Sequence, residues 1–276
     1  MNAANDFSSL DDHLASVAEA FSHKAHRYDE FGRDHINLER MRRKVRQHVL
    51  PHLKPGDSIL ELNAGTGSDA VFFAQRGYEV LATDISPRML ARIRDKVVQY
   101  GLDDRIAIQQ CSFTDLGQIQ SGPFDYVFSN MGGINCFPDP GEIISNLPGL
   151  LRPGGHVTWV VMPPICPWEI AMILRADLKT ALRRLSPKGT LANVEGVRFT
   201  TYYFSPNQII QAFGTKFQPI QLQGLSVFTP PADRKEFPTK FPRLYRFLVR
   251  MDENLADHPP FNHWGDFYIL TLRYLS

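Results

Sequence analysis

Neither sign of charge dominates this 276-residue chain: 30 lysines and arginines stand against 29 aspartates and glutamates, a formal net charge of +1. A chain without an overall positive field has no electrostatic footprint for nucleic acid. Cysteine is scarce as well. Cys111, Cys136 and Cys166 lie far apart with no CxxC pairing, which supports neither a disulfide framework nor a zinc knuckle and fits a reducing compartment. Long hydrophobic runs are missing too. The most apolar stretch, "HVTWVVMPPICPWEIAMIL", is broken by three prolines and a glutamate, so it reads as no membrane span. The opening "MNAANDFSSLDDHLA" is acidic and polar, unlike a secretory leader. No HExxH occurs, and His23 and His26, three apart, fit a solvated helix face better than a metal site. These absences lead us to expect a soluble cytoplasmic protein with no metal, no nucleic-acid partner and no stable membrane insertion. A homo-oligomer is left open.

What is present is ordinary for a soluble globular protein: 43% hydrophobic residues, enough for a sizeable core. Residues 11–50 read as helices, with Leu38, Met41, Val45 and Val49 on one face. After "KPGD", short apolar strands (57–62, 78–83, 105–110, 124–129, 156–162) alternate with helix-length segments (68–76, 86–100, 139–151). That order predicts a doubly wound α/β fold with a parallel sheet. Beyond Met162 the rhythm changes. Residues 165–186 suggest one or two helices, "GVRFTTYYFS" a strand, and "SPNQIIQAF" a helix with a Ser cap and Pro at its first position. "FQPIQLQGLSVF" and "DFYILTLRYL" read as two further strands, flanking an irregular basic and aromatic segment, 233–257.

The stretch "ILELNAGTGSDA" carries the chemistry. A strand runs into Gly65 and Gly67 and then into a helix, and Asp84 ends the next strand. Such a turn also occurs without a ligand, but an acidic strand end in this position suits the two hydroxyls of a ribose. Glu61 beside the turn disfavours a pyrophosphate and suits a cation. S-adenosylmethionine carries a sulfonium, an ammonium and a carboxylate that backbone N–H groups can receive. Asn63 tolerates a left-handed turn position better than most residues.

On these motifs the chain resembles the class I S-adenosylmethionine-dependent methyltransferases, small-molecule type. "LELNAGTG" looks like their ExGxGxG loop, "VLATDISPRML" like their acidic ribose-binding turn, "FDYVFSNMGGINCF" like their fourth-strand motif, and "LLRPGGHVTWVV" like their helix, turn and fifth strand. The similarity covers roughly residues 20–162. It implies a seven-stranded sheet of order 3-2-1-4-5-7-6 with strand 7 antiparallel. It also implies a helical lid (1–50), a cofactor-binding core (51–162), a cap inserted after strand 5 (163–260) and a last antiparallel strand (261–276). Implied cofactor contacts are Tyr28, Glu61, Asn63, Ala64, Gly65, Gly67, Asp84, Ile85, Met89, Ser112, Phe113 and Asn130. Two positions depart from the family pattern: Asn63 replaces the loop's first glycine, and Ser112 stands where an Asp would meet the adenine, with Asp115 as an alternative.

The fourth strand ends in "SNMGG" rather than the (N/D/S)PP(Y/F) turn of many base and amide methylases, which points toward oxygen or nitrogen of a small, partly apolar metabolite. RNA or protein methylation, or a non-catalytic cofactor-binding regulator, are the alternatives. Substrate contacts are expected at Gly132, Gly133, Asn135, Trp168 and Trp264, although the aromatics could equally be core. A hydroxyl substrate needs a general base, and the candidates are His263, at the start of the last strand, and Glu169, at the start of the cap. A surface role for His263 and a helix-dipole role for Glu169 are the competing readings. The basic runs "KTALRRLSPKG" and "RKEFPTKFPRLYRFLVR" are expected to be solvated helix faces; the second also suits a lid or transient contact with a membrane surface.

Overall fold

The computed structural model describes residues 9–275; residues 1–8 of the expected lid and Ser276 of the expected last strand lie outside the described residues. Among the described residues nine strands form two sheets: β1 Ser58–Leu62, β2 Glu79–Asp84, β3 Ile106–Gln110, β4 Phe124–Ser129, β5 Leu151–Val161, β6 Thr190–Val194, β7 Val197–Thr201, β8 Phe217–Leu225 and β9 Phe267–Tyr274. The main sheet has the order β3-β2-β1-β4-β5-β9-β8. Only β9 runs against its neighbours, pairing antiparallel with both β5 and β8. This is the 3-2-1-4-5-7-6 order with its reversed strand, β8 and β9 standing as the sixth and seventh.

The central parallel strands are largely apolar on both faces because both are covered. Neighbouring residues of β1 show it: Ile59 packs in one buried cluster with Met41, Phe73 and Ile93, and Leu60 in another with Ile143, Leu147 and Trp159. The covering helices are α1 Leu10–Gly32, α2 Ile36–Val49, α3 Ser68–Ala74, α4 Pro87–Tyr100 and α5 Pro140–Leu150. Local chemistry sets their ends. Ser86 accepts from the Met89 N–H, Pro87 takes the first position of α4, and Gly101 closes it in a left-handed conformation.

Four sequence expectations change. Strand 5 begins at Leu151 rather than 156, because Leu151 pairs with Phe124 ahead of a bulge through "RPGG". The expected strand 196–205 is β7, which stays out of the main sheet and pairs with β6 across Glu195 and Gly196. Both turn residues have positive φ (50° and 87°), as a tight hairpin requires. The 165–186 region breaks into short pieces, α6 Pro167–Ile170 and α7 Leu178–Leu182 with 3-10 turns, since Ala176 turns left-handed and Asp177 caps afresh. After α8 Pro206–Phe213, with its Ser205–Gln208 capping box, the irregular segment resolves into α9 Phe237–Lys240 and α10 Pro242–Leu255. Asp252 anchors α10: it accepts from Arg40 at 2.8 Å and from the N–H groups of Val227 and Phe228. Arg243, Arg246 and Arg250 of that run are exposed. Among the described residues no helix is long and apolar enough to cross a membrane.

The strand order reverses between β1 and β4, and ligands of open α/β sheets lodge at that point, beyond the carboxyl ends of the strands.

Candidate functional site

A narrow slot of about 100 Å³ opens at this crevice. Its floor is Asn63 and Gly65 after β1, Asp84 and Ile85 after β2, Ser112 and Phe113 after β3, and Asn130, Gly132 and Gly133 after β4. Met89 of α4 closes one side, and Leu14, Val17, Phe21 and Tyr28 of α1 form the roof.

The glycine turn takes its shape from three left-handed residues, Asn63 (φ 48°), Gly65 (57°) and Gly67 (74°). An L-residue adopts that conformation at a cost, and Asn at less cost than most. The Asn63 side chain offsets the cost by spanning to β4: its amide donates to the Asn130 carbonyl at 3.0 Å, and its oxygen accepts from Ser129 Oγ at 2.5 Å. It fills the space over Gly133, where an added Cβ would meet it at 2.1 Å. Asn130 is fixed by donating to Asp69 at 2.7 Å, and Arg46 of α2 pairs with the other oxygen of Asp69 at 2.7 Å.

Asp84 is buried. Its carboxylate accepts the N–H of Gly65 at 2.9 Å and of Ser86 at 2.8 Å. Burial nevertheless wins over these bonds and pushes its pKa up to about 6.

The roof helix is pinned at two places. Ser22 Oγ meets Ser86 Oγ at 2.7 Å, and Asp29 takes Thr66 Oγ1 at 2.6 Å and Lys96 Nζ at 2.9 Å. The second latch joins the roof to the glycine turn itself.

Several expected contacts are placed elsewhere. Glu61 does not line the slot. It is 2% exposed, its Oε2 has no hydrogen-bond partner, and burial, with Asp69 next, drives its pKa well above the ordinary value. A carboxyl so held is no open counter-ion for a ligand, which corrects the electrostatic reading of this residue. Ala64 and Gly67 shape the turn through backbone bonds without lining the slot. At the third strand Ser112 and Phe113 are on the wall; Asp115 is not, and accepts from Gln118 instead. Asn135 is fully buried, and its amide is spent on Met162 and Tyr202 backbone groups. It clasps β5 rather than facing a substrate.

A second, larger cavity of about 550 Å³ adjoins the slot, within the ~300–1,000 Å³ usual for small-molecule sites. Tyr28 and Met131 line both, so they mark the neck between them. Met131 sits there in a left-handed conformation (φ 50°). Met162, Trp168, Met172 and Phe267 give the larger cavity an apolar wall. Trp168 is fixed by donating from its indole to the Phe228 carbonyl at 2.8 Å; Trp264 instead packs edge-on against Phe261, off both walls.

Neither expected base survives its placement. His263 lines neither cavity; it lies in a 3-10 turn beside Asn262, at 2.7 Å, and Asn207. Glu169 does line the larger cavity, but Arg183 grips it through two 2.6 Å bonds and Arg184 through bonds of 2.8 and 2.6 Å. Burial pushes this carboxyl up, the two arginines outweigh it, and the net pKa lies below the usual carboxylate range. A proton acceptor so stabilised as an anion is a poor base. Arg184, expected on a solvated face, is buried between Glu169 and Asp266. Cys166 joins those two carboxylates in a compact cluster, but the guanidinium already compensates their charge, and burial pushes the thiol up to about 12.

Residues 59–155 match a family model described as a methyltransferase domain. A ubiquinone biosynthesis O-methyltransferase of Acinetobacter baylyi is 31% identical over 137 residues, covering 49% of this chain and 55% of that protein. A tRNA 5-carboxymethoxyuridine methyltransferase of Escherichia coli is 27% identical over 97 residues, 35% of this chain and 37% of that one. The chain thus spans about half or less of the length of these curated relatives. The crystal structure of a Burkholderia thailandensis 1,6-didemethyltoxoflavin-N1-methyltransferase, with S-adenosylhomocysteine bound, superposes with TM-score 0.59 at 16% identity over 100% of this chain and 94% of that one, a likeness of fold. The sheet order, the glycine turn facing Asp84 and the matched model agree: residues 59–155 carry a methyltransferase domain, on a fold shared with the S-adenosylhomocysteine-bound methyltransferase structure.

Proposed function

We propose that the chain binds S-adenosylmethionine in the slot and methylates oxygen or nitrogen of a small, partly apolar metabolite held in the larger cavity. The observation that carries this reading is the neck at Tyr28 and Met131, where the crevice lined by Asp84 and the glycine turn meets a roomier chamber with an apolar wall on one side and charged residues on the other. The residues fit the cofactor. Asp84 offers a carboxylate to the ribose hydroxyls, Ile85, Met89 and Phe113 an apolar berth for the adenine, and Ser112 a hydroxyl for its polar edge. Asn63, Gly65 and Asn130 surround the remaining end. The bound group supplies a methyl on a sulfonium, open to in-line displacement.

The chain's own part is alignment and exclusion of water. Leu14, Val17 and Phe21 roof the slot, and the two latches hold the roof down. Among the described residues the walls of the larger cavity include no histidine or cysteine, and burial raises the pKa of the Tyr28 phenol at the neck. The acceptor atom therefore arrives ready to react, as a neutral amine or an easily ionised hydroxyl.

Incubating the protein with methyl-labelled S-adenosylmethionine and a cell extract tests the reading. Label in the small-molecule fraction is expected. Label in RNA, the outcome that the tRNA-modifying relative favours, or in protein would contradict it, and bound cofactor without transfer would make the chain a non-catalytic binder.

The latch gives a second expectation. Asp29→Ala removes charge-assisted bonds from buried Thr66 and half-buried Lys96, so S-adenosylhomocysteine affinity should fall roughly tenfold, ~1.5 kcal/mol, while the fold persists. Titration calorimetry checks it; unchanged affinity would mean the roof needs no latch.

A further inference from the structure

The larger cavity has carboxylates and cations on its wall, and most are already matched. Glu169 is taken by Arg183 and Arg184, and Asp266 by Arg184. Asp177 caps α7 by accepting the Thr180 N–H at 3.0 Å, and Asp233 lies 4.0 Å from Arg234. Two cations remain, and both come from the lid: Lys24 of α1 and Arg42 of α2.

Among the described residues neither has a carboxylate within ion-pair distance. Lys24 Nζ lies 5.5 Å from the centre of the Tyr28 ring and 5.8 Å from that of Phe31. Burial lowers its pKa, offset in part by the charge of Glu195. Arg42 is half-buried beneath Gly32, where an added Cβ would come within 3.3 Å of its Nη1. It is close enough to Tyr28 for its charge to stabilise the ionised phenol. Two half-buried cations lining one chamber lose hydration without gaining a carboxylate partner, a cost that an oxyanion bound in the chamber offsets. A guanidinium fork suits a carboxylate or phosphate in particular.

Resting on the methyltransferase reading above, we propose that the methyl acceptor carries an anionic group, a carboxylate or phosphate, apart from its reacting atom, and that Arg42 and Lys24 hold this group. The apolar body then lies along Met162, Trp168 and Met172, and the reacting atom points to the neck at Tyr28 and Met131. Because both cations belong to the lid helices, the anion also draws the lid onto the site.

The test uses the full chain saturated with S-adenosylhomocysteine and two fluorescent probes of the same apolar body. One, 1-anilinonaphthalene-8-sulfonate, carries an oxyanion; the other, N-phenyl-1-naphthylamine, is neutral. The sulfonate should bind at least about tenfold more tightly. Lys24→Gln combined with Arg42→Gln should erase that preference and leave the neutral probe's affinity unchanged. Arg42→Lys alone, which keeps the charge, should retain part of the preference. Equal binding of the two probes, no binding of the sulfonate, or a preference that survives the double substitution would overturn the inference. Calorimetry of S-adenosylhomocysteine on the same samples separates the two levels: failure of that ligand to bind removes the methyltransferase reading itself.

Discussion

Asp84→Ala should reduce affinity for S-adenosylhomocysteine by at least about tenfold, since a carboxylate holding two ribose hydroxyls contributes ~1.5–3 kcal/mol. The substitution also releases the Gly65 and Ser86 N–H groups that this carboxylate now holds, so part of the loss is lost shape in the turn. Asp84→Asn keeps the volume and isolates the charge. A pH dependence follows from the same group. Its pKa in the unliganded fold is raised to about 6 by burial, above the unfolded value of ~3.9. Ionised Asp84 therefore costs the free protein stability above pH 6, and the cost is relieved as pH falls through 6 toward 4. Ligand binding acts in the opposite sense, because hydroxyl donors favour the carboxylate. Affinity should be full near pH 7.5 and should fall as pH drops through 6, by roughly tenfold at pH 5 if one proton must leave. Calorimetry in buffers of different ionisation heat should show proton release near pH 6 in the wild type and none in Asp84→Asn. Equal affinity at pH 5 and 7.5 would remove Asp84 from the binding site.

Gly133→Ala should be the most disruptive single methyl in the site. The backbone there is ordinary right-handed helix, φ −58° and ψ −40°, so strain is not the reason. The new Cβ would lie 2.1 Å from Asn63 Cγ and 2.3 Å from its amide nitrogen. Asn63 must then leave Ser129 and the Asn130 carbonyl, and the glycine turn loses its tie to β4. Overpacking together with two broken hydrogen bonds should cost about 2–3 kcal/mol, several degrees in Tm, and weaken cofactor binding as well. Asn63→Gly in the same chain vacates the clashing volume while keeping the left-handed φ, so the double variant should be more stable than Gly133→Ala alone. Thermal unfolding of the four proteins of this cycle measures the coupling. Additive effects would mean that the side chain of Asn63 does not hold the two loops together.

What the sequence revealed and what it hid follow the reach of each interaction. The glycine turn, Asp84 and the Ser86 cap of α4 are local: backbone conformation and strand-end chemistry depend on residues a few positions apart. The main sheet was legible for the same reason, since its apolar strands alternate with capped helices. Glu169 and His263 were placed by counting from a strand end, which says nothing of where a side chain points. Arg183 and Arg184, which neutralise Glu169, lie on a different short element, and their run read as a solvated face. Asn135 looked like a pocket residue within "NMGGIN", yet its partners are at Met162 and Tyr202. The β6–β7 hairpin was missed because its turn is Glu-Gly rather than Asn-Gly. Lys24 and Arg42 were invisible as a pair, since only the packing of α1 beside α2 puts both on one chamber.

A crystal structure of the full chain with S-adenosylhomocysteine tests most directly the course of the ligand through the molecule. The ribose should lie on Asp84, the adenine between Met89 and Phe113, and the sulfur at the neck formed by Tyr28 and Met131, facing the 550 Å³ chamber. A sulfur turned away from that chamber, or a ligand seated in the chamber itself with Asp84 untouched, would contradict it.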